Sequence, residues 1–218
     1  MNKTNTLIGK LALDVKNPSL SKGWKITFWK NWGIGFFLTA SLTLVAALLL
    51  PNDLRFPENP LNVEFIMQAL FWFTLSVAGA FLTYLSSLPM EKTKGLSLFC
   101  KVVVSVLVLF VLFQTSIENL STDFVQELNV QQGPCGIFIL IMSSIWTFSL
   151  FATIKKAAPI NLALTGASLA LSTGAATSML IHFFCRHETS SHMVLWHFLP
   201  LTLVIFASWK NSSKFLRW

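Results

Sequence analysis

The chain has 218 residues, of which 54% are hydrophobic and only 11% are charged. A water-soluble domain of this size cannot bury so much apolar surface, so the composition excludes an ordinary soluble globular fold. The formal net charge is +7, and its distribution along the chain indicates a membrane surface rather than direct contact with nucleic acid.

The apolar residues form six long blocks that are nearly free of charge, each close to the ~20 residues that a helix needs to cross a bilayer. These blocks occupy residues 33–50, 65–88, 97–117, 136–154, 160–184 and 192–209. We therefore predict an all-α membrane protein, a six-helix transmembrane bundle. Its parts are a basic N-terminal tail at 1–32, a membrane domain at 33–209 and a short tail at 210–218. The first block has no small-residue cleavage site after it, so we expect it to remain as a helix.

Lysine and arginine lie almost entirely on one side of this predicted bundle. Of the 16 basic residues, 14 lie in or beside four segments: the N-terminal tail, the connections after the second and fourth blocks, and the C-terminal tail. The same segments contain only two of the nine acidic residues. Arg55, Arg186 and the other seven acidic residues lie on the opposite side. Because the basic side of a membrane protein faces the cytoplasm, we predict that both termini are cytoplasmic.

The N-terminal tail contains a short apolar pattern. Leu7, Ile8 and Leu11 have helical spacing, which is consistent with a small amphipathic helix. We take these residues, with Asp14, as candidates for binding a cytoplasmic partner. A flexible tail or one that lies on the lipid surface is the alternative.

The fifth block carries a stripe of small residues. Gly166, Ala170, Gly174 and Ser178 recur every four residues, with Ala163 and Ala167 beside them. Such a stripe lets a second helix approach closely, so we interpret it as a packing face. The blocks lack a convincing ionisable group near the membrane centre, which argues against a carrier or pump.

Two of the three cysteines lie on the predicted outer side. Cys135 opens the fourth block and Cys185 closes the fifth, whereas Cys100 lies near the cytoplasmic end of the third. If the helix ends are adjacent, the outer pair is at the right depth to form a disulfide. A purely structural bridge and two unpaired thiols remain open alternatives.

All four histidines follow at five-residue intervals, at His182, His187, His192 and His197. Five residues advance an α-helix by ~500°, so this interval does not place the four rings on one face. The outer cysteines with His182, His187 and His192 are nevertheless candidate ligands for zinc or another thiophilic ion. Polar groups at a helix end, or a haem held between His182 and His197, are the alternatives.

The C-terminal half contains an ordered set of short motifs. These are "GPCG", "KKAAP", "LTGASLALSTGAATS", "HFFCRHETSSHMVLWHFLPL" and the final "KFLRW", with "LALDV" near the N-terminus. Together they resemble the NrsF-type six-span anti-sigma factors, bacterial inner-membrane proteins that negatively regulate an extracytoplasmic-function sigma factor. The resemblance is strongest from Gly133 to Trp218.

The resemblance implies a function that spacing alone does not. It implies a sigma factor held on the cytoplasmic side and sensing of metal or oxidative stress by Cys135 and Cys185. The chain departs from the family pattern where Arg186 and His187 follow the second cysteine in place of an acidic pair, and where His197 replaces a common tyrosine.

These observations predict a membrane-bound anti-sigma factor in the bacterial inner membrane that releases its sigma factor on an envelope-side signal. Its partners would be the sigma factor and the lipid bilayer, without direct contact with nucleic acid, and it would not be an enzyme. The alternatives are a small six-span transporter and a membrane enzyme of thiol or quinone redox chemistry, for which the cysteine pair would be the reactive group.

Overall fold

The computed structural model describes residues 18–49, 63–87, 134–157, 159, 161–185 and 192–216, with Val102 and Ser105. In these residues the chain forms five α-helices and one π-helical segment. They are α1 (Pro18–Leu49), α2 (Val63–Ser86), α3 (Pro134–Lys155), α4 (Leu162–His182), the π-helical segment (Met193–Phe198) and α5 (Leu199–Phe215). The predicted all-α class is confirmed over this part of the chain.

Five helical stretches within the described residues are long and apolar enough to cross a membrane. Four of them fall in α1 to α4, and the fifth joins the π-helical segment to α5. The third predicted span, at 97–117, lies outside the described residues except for Val102 and Ser105, which are helical. The candidate partner-binding residues of the N-terminal tail also lie outside them.

Helix α4 is the centre of the bundle. It packs against α1, α2, α3 and α5, and nearly all of its side chains are buried. By contrast, α1 exposes many large apolar side chains, as expected for a helix that faces lipid.

The small-residue stripe of α4 is a packing face, as predicted. A Cβ atom added at Gly166 would lie 2.6 Å from the Cβ of Ser212 and 2.9 Å from the carbonyl oxygen of Ser208. At Gly174 it would lie 2.3 Å from a methyl group of Leu201. All three neighbouring residues belong to α5, so the two glycines allow α4 and α5 to approach more closely than side chains would permit.

Side-chain hydrogen bonds also join α4 to its neighbours. The hydroxyl of Ser172 accepts a hydrogen bond from the indole N–H of Trp32 in α1, and its carbonyl oxygen accepts one from the hydroxyl of Ser76 in α2. Each donor–acceptor distance is 3.0 Å. Thr147 in α3 and Thr173 in α4 share a hydrogen bond of 2.6 Å. Hydroxyl groups of this kind hold helices together where water cannot compete.

The contacts also establish which helix ends lie together. Ser86, at the end of α2, accepts a hydrogen bond from Thr165 at the start of α4. The ring of Phe65, at the start of α2, stacks on that of His182 at the end of α4. Cys135, at the start of α3, contacts Cys185 just after α4. We call the end of the bundle with these two cysteines the cysteine end.

Helix α1 begins at Pro18, well before the predicted first span at residue 33. Phe28 is fully buried in a cluster of apolar side chains from several helices, and the side-chain amide of Asn31 donates to Thr153 Oγ1 over 2.8 Å. The second half of the predicted N-terminal tail is therefore helical and packs against α3. Lysines within it, such as Lys25 and Lys30, lower its mean hydropathy without preventing a helix.

Candidate metal centre

Four buried side chains converge at the cysteine end. Each of Cys135, Cys185, His192 and His197 places one sulfur or ring nitrogen within 4.8 Å of the other three. Their exposed fractions are between 0% and 3%. The residues come from three separate parts of the bundle, so only the tertiary fold brings them together.

The close approach of α3 to the last span depends on Gly136. A Cβ atom at this position would lie 2.8 Å from a ring carbon of Trp196 and 3.3 Å from Cγ of Pro200. Either contact is closer than carbon atoms normally approach. Glycine next to Cys135 therefore allows the first turn of α3 to lie directly against the π-helical segment.

The π-helical segment brings His192 and His197 together. Their ring centroids are 5.7 Å apart, although a five-residue interval in an α-helix separates side chains around the axis. The N–H of Leu199 donates to the carbonyl of Val194, five residues earlier, and this wider turn reduces the angular separation. Histidines five residues apart were predicted not to share a face of a regular α-helix, and for His192 and His197 the π-helical segment overturns that prediction.

A proline follows directly after this widened turn. Pro200 has no N–H to donate to the carbonyl of Trp196, four residues earlier. The regular hydrogen-bond pattern is therefore interrupted at the place where the π-helical segment gives way to α5. Segments of this kind frequently occur at functional sites.

The two thiols are in contact without a covalent bond. Their sulfur atoms are 3.4 Å apart, and no disulfide joins them. Nε2 of His192 lies 3.2 Å from the sulfur of Cys185. The hydrogen bond with Cys135 is the main cause that lowers the pKa of the Cys185 thiol well below its ordinary value; burial acts in the opposite direction, and the contact with His192 adds to the lowering. The thiolate is the form that binds metals and reacts with oxidants.

The structure brings some of the predicted ligands together and places others elsewhere. Cys135, Cys185 and His192 belong to the cluster, whereas His182 stacks on Phe65 and has its Nε2 3.4 Å from the carbonyl oxygen of that residue. His187 lies outside the described residues. The fourth member, His197, was not among the residues predicted as ligands of a thiophilic ion and was considered only as a haem ligand with His182.

This arrangement supports two kinds of chemistry. Two sulfurs and two imidazoles are a ligand set typical of zinc and similar ions. The same two sulfurs, when oxidised, can form a disulfide. Either reaction would take place where the start of α3 meets the end of α4.

Mild oxidation of the purified chain with diamide should join Cys135 to Cys185. The sulfur atoms need to approach by only about 1.4 Å to reach bonding distance. Mass spectrometry after alkylation should show a peptide pair lighter by two hydrogen atoms, with Cys100 still alkylated. A bridge that includes Cys100, or full alkylation of the other two, would contradict the observed contact.

Comparison with known proteins identifies the family. A family model described as NrsF, negative regulator of sigma F, matches residues 15–218. No curated protein matches the chain, and no solved structure does. The match covers nearly the whole chain, including all four residues of the cluster, and the chain belongs to the NrsF family of negative regulators of sigma F.

Proposed function

We propose that this protein is a membrane-bound anti-sigma factor that holds an extracytoplasmic-function sigma factor at the cytoplasmic face. A metal ion or an oxidant that reacts with Cys135 and Cys185 at the opposite face releases it. The observation that carries this proposal is the contact of two thiols, 3.4 Å apart, at one end of a bundle whose other end is basic. A family of negative regulators also favours this function over an enzyme or a transporter.

The charge distribution supports the assignment of faces. Among the described residues, all lysines lie toward the end opposite to the cysteines: Lys22, Lys25, Lys30, Lys155, Lys156, Lys210 and Lys214. The one acidic residue in the described part, Glu64, is near the start of α2 at the cysteine end. By the positive-inside rule, the cysteine end faces the periplasm of a bacterial inner membrane.

Helix directions support six spans. Helix α2 ends at the basic face, where Ser86 contacts Thr165, and α3 begins at the cysteine end. The connection between them therefore has to pass from one face to the other. The apolar block at 97–117 is the segment suited to that crossing.

Helix α4 is the element suited to carry a change between the faces. It is 21 residues long, which corresponds to about 32 Å. Cys185 follows its C-terminal end, and hydroxyl groups along its length are hydrogen-bonded to α1, α2 and α3. A small displacement of α4 would therefore repack several helices at once, because packed interfaces tend to have discrete arrangements.

Oxidation of the cysteine pair has a simple balance. One sulfur–sulfur bond forms, and both thiol protons and two electrons pass to a two-electron oxidant. With hydrogen peroxide the product is two molecules of water. The disulfide is shorter than the present contact, so it draws the start of α3 toward the end of α4.

The N-terminal tail is the proposed contact for the sigma factor. The proposed contact consists of four residues of the tail. Apolar surface would come from Leu7, Ile8 and Leu11, and a negative charge would come from Asp14. Residues 1–14 precede the family match and also precede α1. A deletion of residues 1–14 therefore leaves the amino-acid sequence of the described bundle unchanged.

Deletion of residues 1–14 should reduce recovery of the co-expressed sigma factor by about tenfold or more, because a loss of about 1.4 kcal/mol of binding free energy gives a tenfold effect. Affinity purification of the membrane protein and quantification of the bound sigma factor measure this. The control keeps Lys3 and Lys10 and the length of the tail but replaces Leu7, Ile8 and Leu11 with serine. An equal loss in the control assigns binding to apolar contacts, and undiminished recovery with the deletion contradicts a role for the tail.

A further inference from the structure

We propose that Cys135, Cys185, His192 and His197 form a four-coordinate site for one thiophilic divalent cation of the zinc and cadmium class. This inference names the ligand of the proposed sensing site. It rests on the proposed function only for its regulatory consequence, because binding of the ion is a property of the four side chains themselves.

The distances in the cluster are close to those of a tetrahedral site. Zinc binds sulfur at about 2.3 Å and imidazole nitrogen at about 2.0–2.1 Å, which places tetrahedral ligand atoms about 3.3–3.8 Å from one another. The two sulfurs are 3.4 Å apart, and Cys185 Sγ is 3.2 Å from Nε2 of His192. All four ligand atoms lie within 4.8 Å of one another. Rotations of the side chains and shifts of about an ångström would therefore complete the coordination.

The charge of the ligand set suits a buried dication. Two thiolates and two neutral imidazoles carry a total charge of −2, so a bound divalent ion makes the centre neutral. All four residues are buried, and a net charge there would carry a large desolvation penalty. A monovalent or trivalent ion would leave such a charge, and the sulfur ligands disfavour magnesium and calcium.

The environment of His197 is the independent observation that points to a ligand. Its side chain is fully buried, and neither ring nitrogen makes a hydrogen bond of normal geometry within the described part of the chain, although the ring lies close enough to the Cys185 sulfur to interact with it. A buried polar group without a well-formed hydrogen bond is destabilising. Coordination by one nitrogen would remove this destabilisation at that atom, and the π-helical segment places the ring where the ligand is needed.

The two histidines extend the effect of the ion beyond that of a disulfide. A disulfide joins only the start of α3 to the residues after α4. The four-ligand site also includes both histidines, at the start of the last span, and Gly136 lets that span lie against α3. Metal binding and oxidation would therefore produce different arrangements of the cysteine end.

Cobalt titration of the full-length chain in detergent, with the thiols kept reduced, tests the site. Tetrahedral cobalt bound by two thiolates gives visible absorption and thiolate charge-transfer bands, and one equivalent of zinc should remove them. We expect His197→Gln and His192→Gln each to weaken zinc binding by at least about tenfold, because loss of even an outer-shell partner costs about 10- to 100-fold. Absence of the charge-transfer bands in the wild-type chain would overturn the proposal.

Two further variants separate loss of a ligand from loss of the fold. His182→Gln removes a nearby histidine outside the cluster, and its zinc affinity should stay within about threefold of the wild-type value, well below the loss expected for a ligand. His197→Cys supplies a third sulfur and should retain cobalt binding with stronger charge-transfer absorption, at an affinity reduced by the extra buried negative charge. If His182→Gln weakened binding as much as His197→Gln, or His197→Gln bound zinc normally, the proposed ligand set would be wrong.

The result is separable from the anti-sigma function. A chain that retains the sigma factor but gives no cobalt spectrum contradicts the metal site alone. A chain that binds one zinc ion but never retains a sigma factor contradicts the proposed function alone.

Discussion

Substitution of Gly79 by alanine should lower the free energy of unfolding of the membrane domain by about 1–3 kcal/mol, the range typical of overpacking. The added Cβ would lie 2.6 Å from the backbone nitrogen of Ser172 and 2.9 Å from its Cα. Backbone atoms in the middle of α4 cannot rotate away as a side chain does, so α2 and α4 have to separate. Unfolding in mixed micelles of increasing SDS content, followed by tryptophan fluorescence, measures the loss.

Separation of these helices also weakens hydrogen bonds between them. The hydroxyl of Ser76 donates a hydrogen bond to the carbonyl oxygen of Ser172, and that of Thr83 donates one to the hydroxyl of Ser168. Each donor–acceptor distance is 3.0 Å. Such bonds contribute about 0.6 kcal/mol each on average in membrane proteins. The packing effect of Gly79→Ala is therefore expected to be the larger contribution.

Gly33→Ala is the matched control. Gly33 is also in a helix, but outside its own helix backbone no heavy atom of the described residues lies within 4 Å of an added Cβ. Alanine is a better helix former than glycine by about 0.8–1.0 kcal/mol in water, so this variant should be neutral or slightly more stable. Equal destabilisation by both substitutions would show that the α2–α4 contact is not the cause.

Much of the fold could be predicted from the sequence because the membrane imposes it. A span needs a long apolar block, and the structure places helices at each predicted block within the described residues. The small-residue stripe also predicted the packing face, because Gly166 and Gly174 act through the absence of a side chain. Helix ends were less predictable: α1 continues back to Pro18 because tertiary contacts of Phe28 and Asn31 stabilise residues that hydropathy assigns to a tail.

The candidate site was predictable in part. Membrane depth alone placed Cys135 and Cys185 on the same side, and their contact follows from adjacent helix ends. His197 was missed as a ligand of a thiophilic ion because the spacing of the histidines was interpreted with the geometry of a regular α-helix, whereas the segment is π-helical. Pro200 was the available signal, since proline interrupts the hydrogen bonds of the preceding turn, but a sequence does not specify that a π-helical turn results.

The proposed coupling between the two faces has a measurable size. If reaction at the cysteine end releases the sigma factor, the protein must bind the sigma factor less tightly after the reaction than before it. Allosteric coupling of this kind typically amounts to about 1–3 kcal/mol, or about 5- to 150-fold in affinity. Helix α4 links the cysteine end to the rest of the bundle, because Cys185 lies shortly after its C-terminal end and α4 contacts four other helices.

Cadmium or diamide should therefore weaken sigma binding to the reduced protein in lipid nanodiscs by about 5- to 150-fold, and Cys135→Ser with Cys185→Ser should remove that difference. Serine retains the size of the side chain but provides neither a soft metal ligand nor a disulfide partner. Cys100→Ser, the remaining cysteine, should keep the full response and is the matched control. Titration of labelled sigma factor with and without the reagent gives the ratio of affinities for each variant. A response that survives in the double variant, or disappears in Cys100→Ser, would place the sensing element elsewhere than at Cys135 and Cys185, whose sulfurs are in contact between the start of α3 and the end of α4.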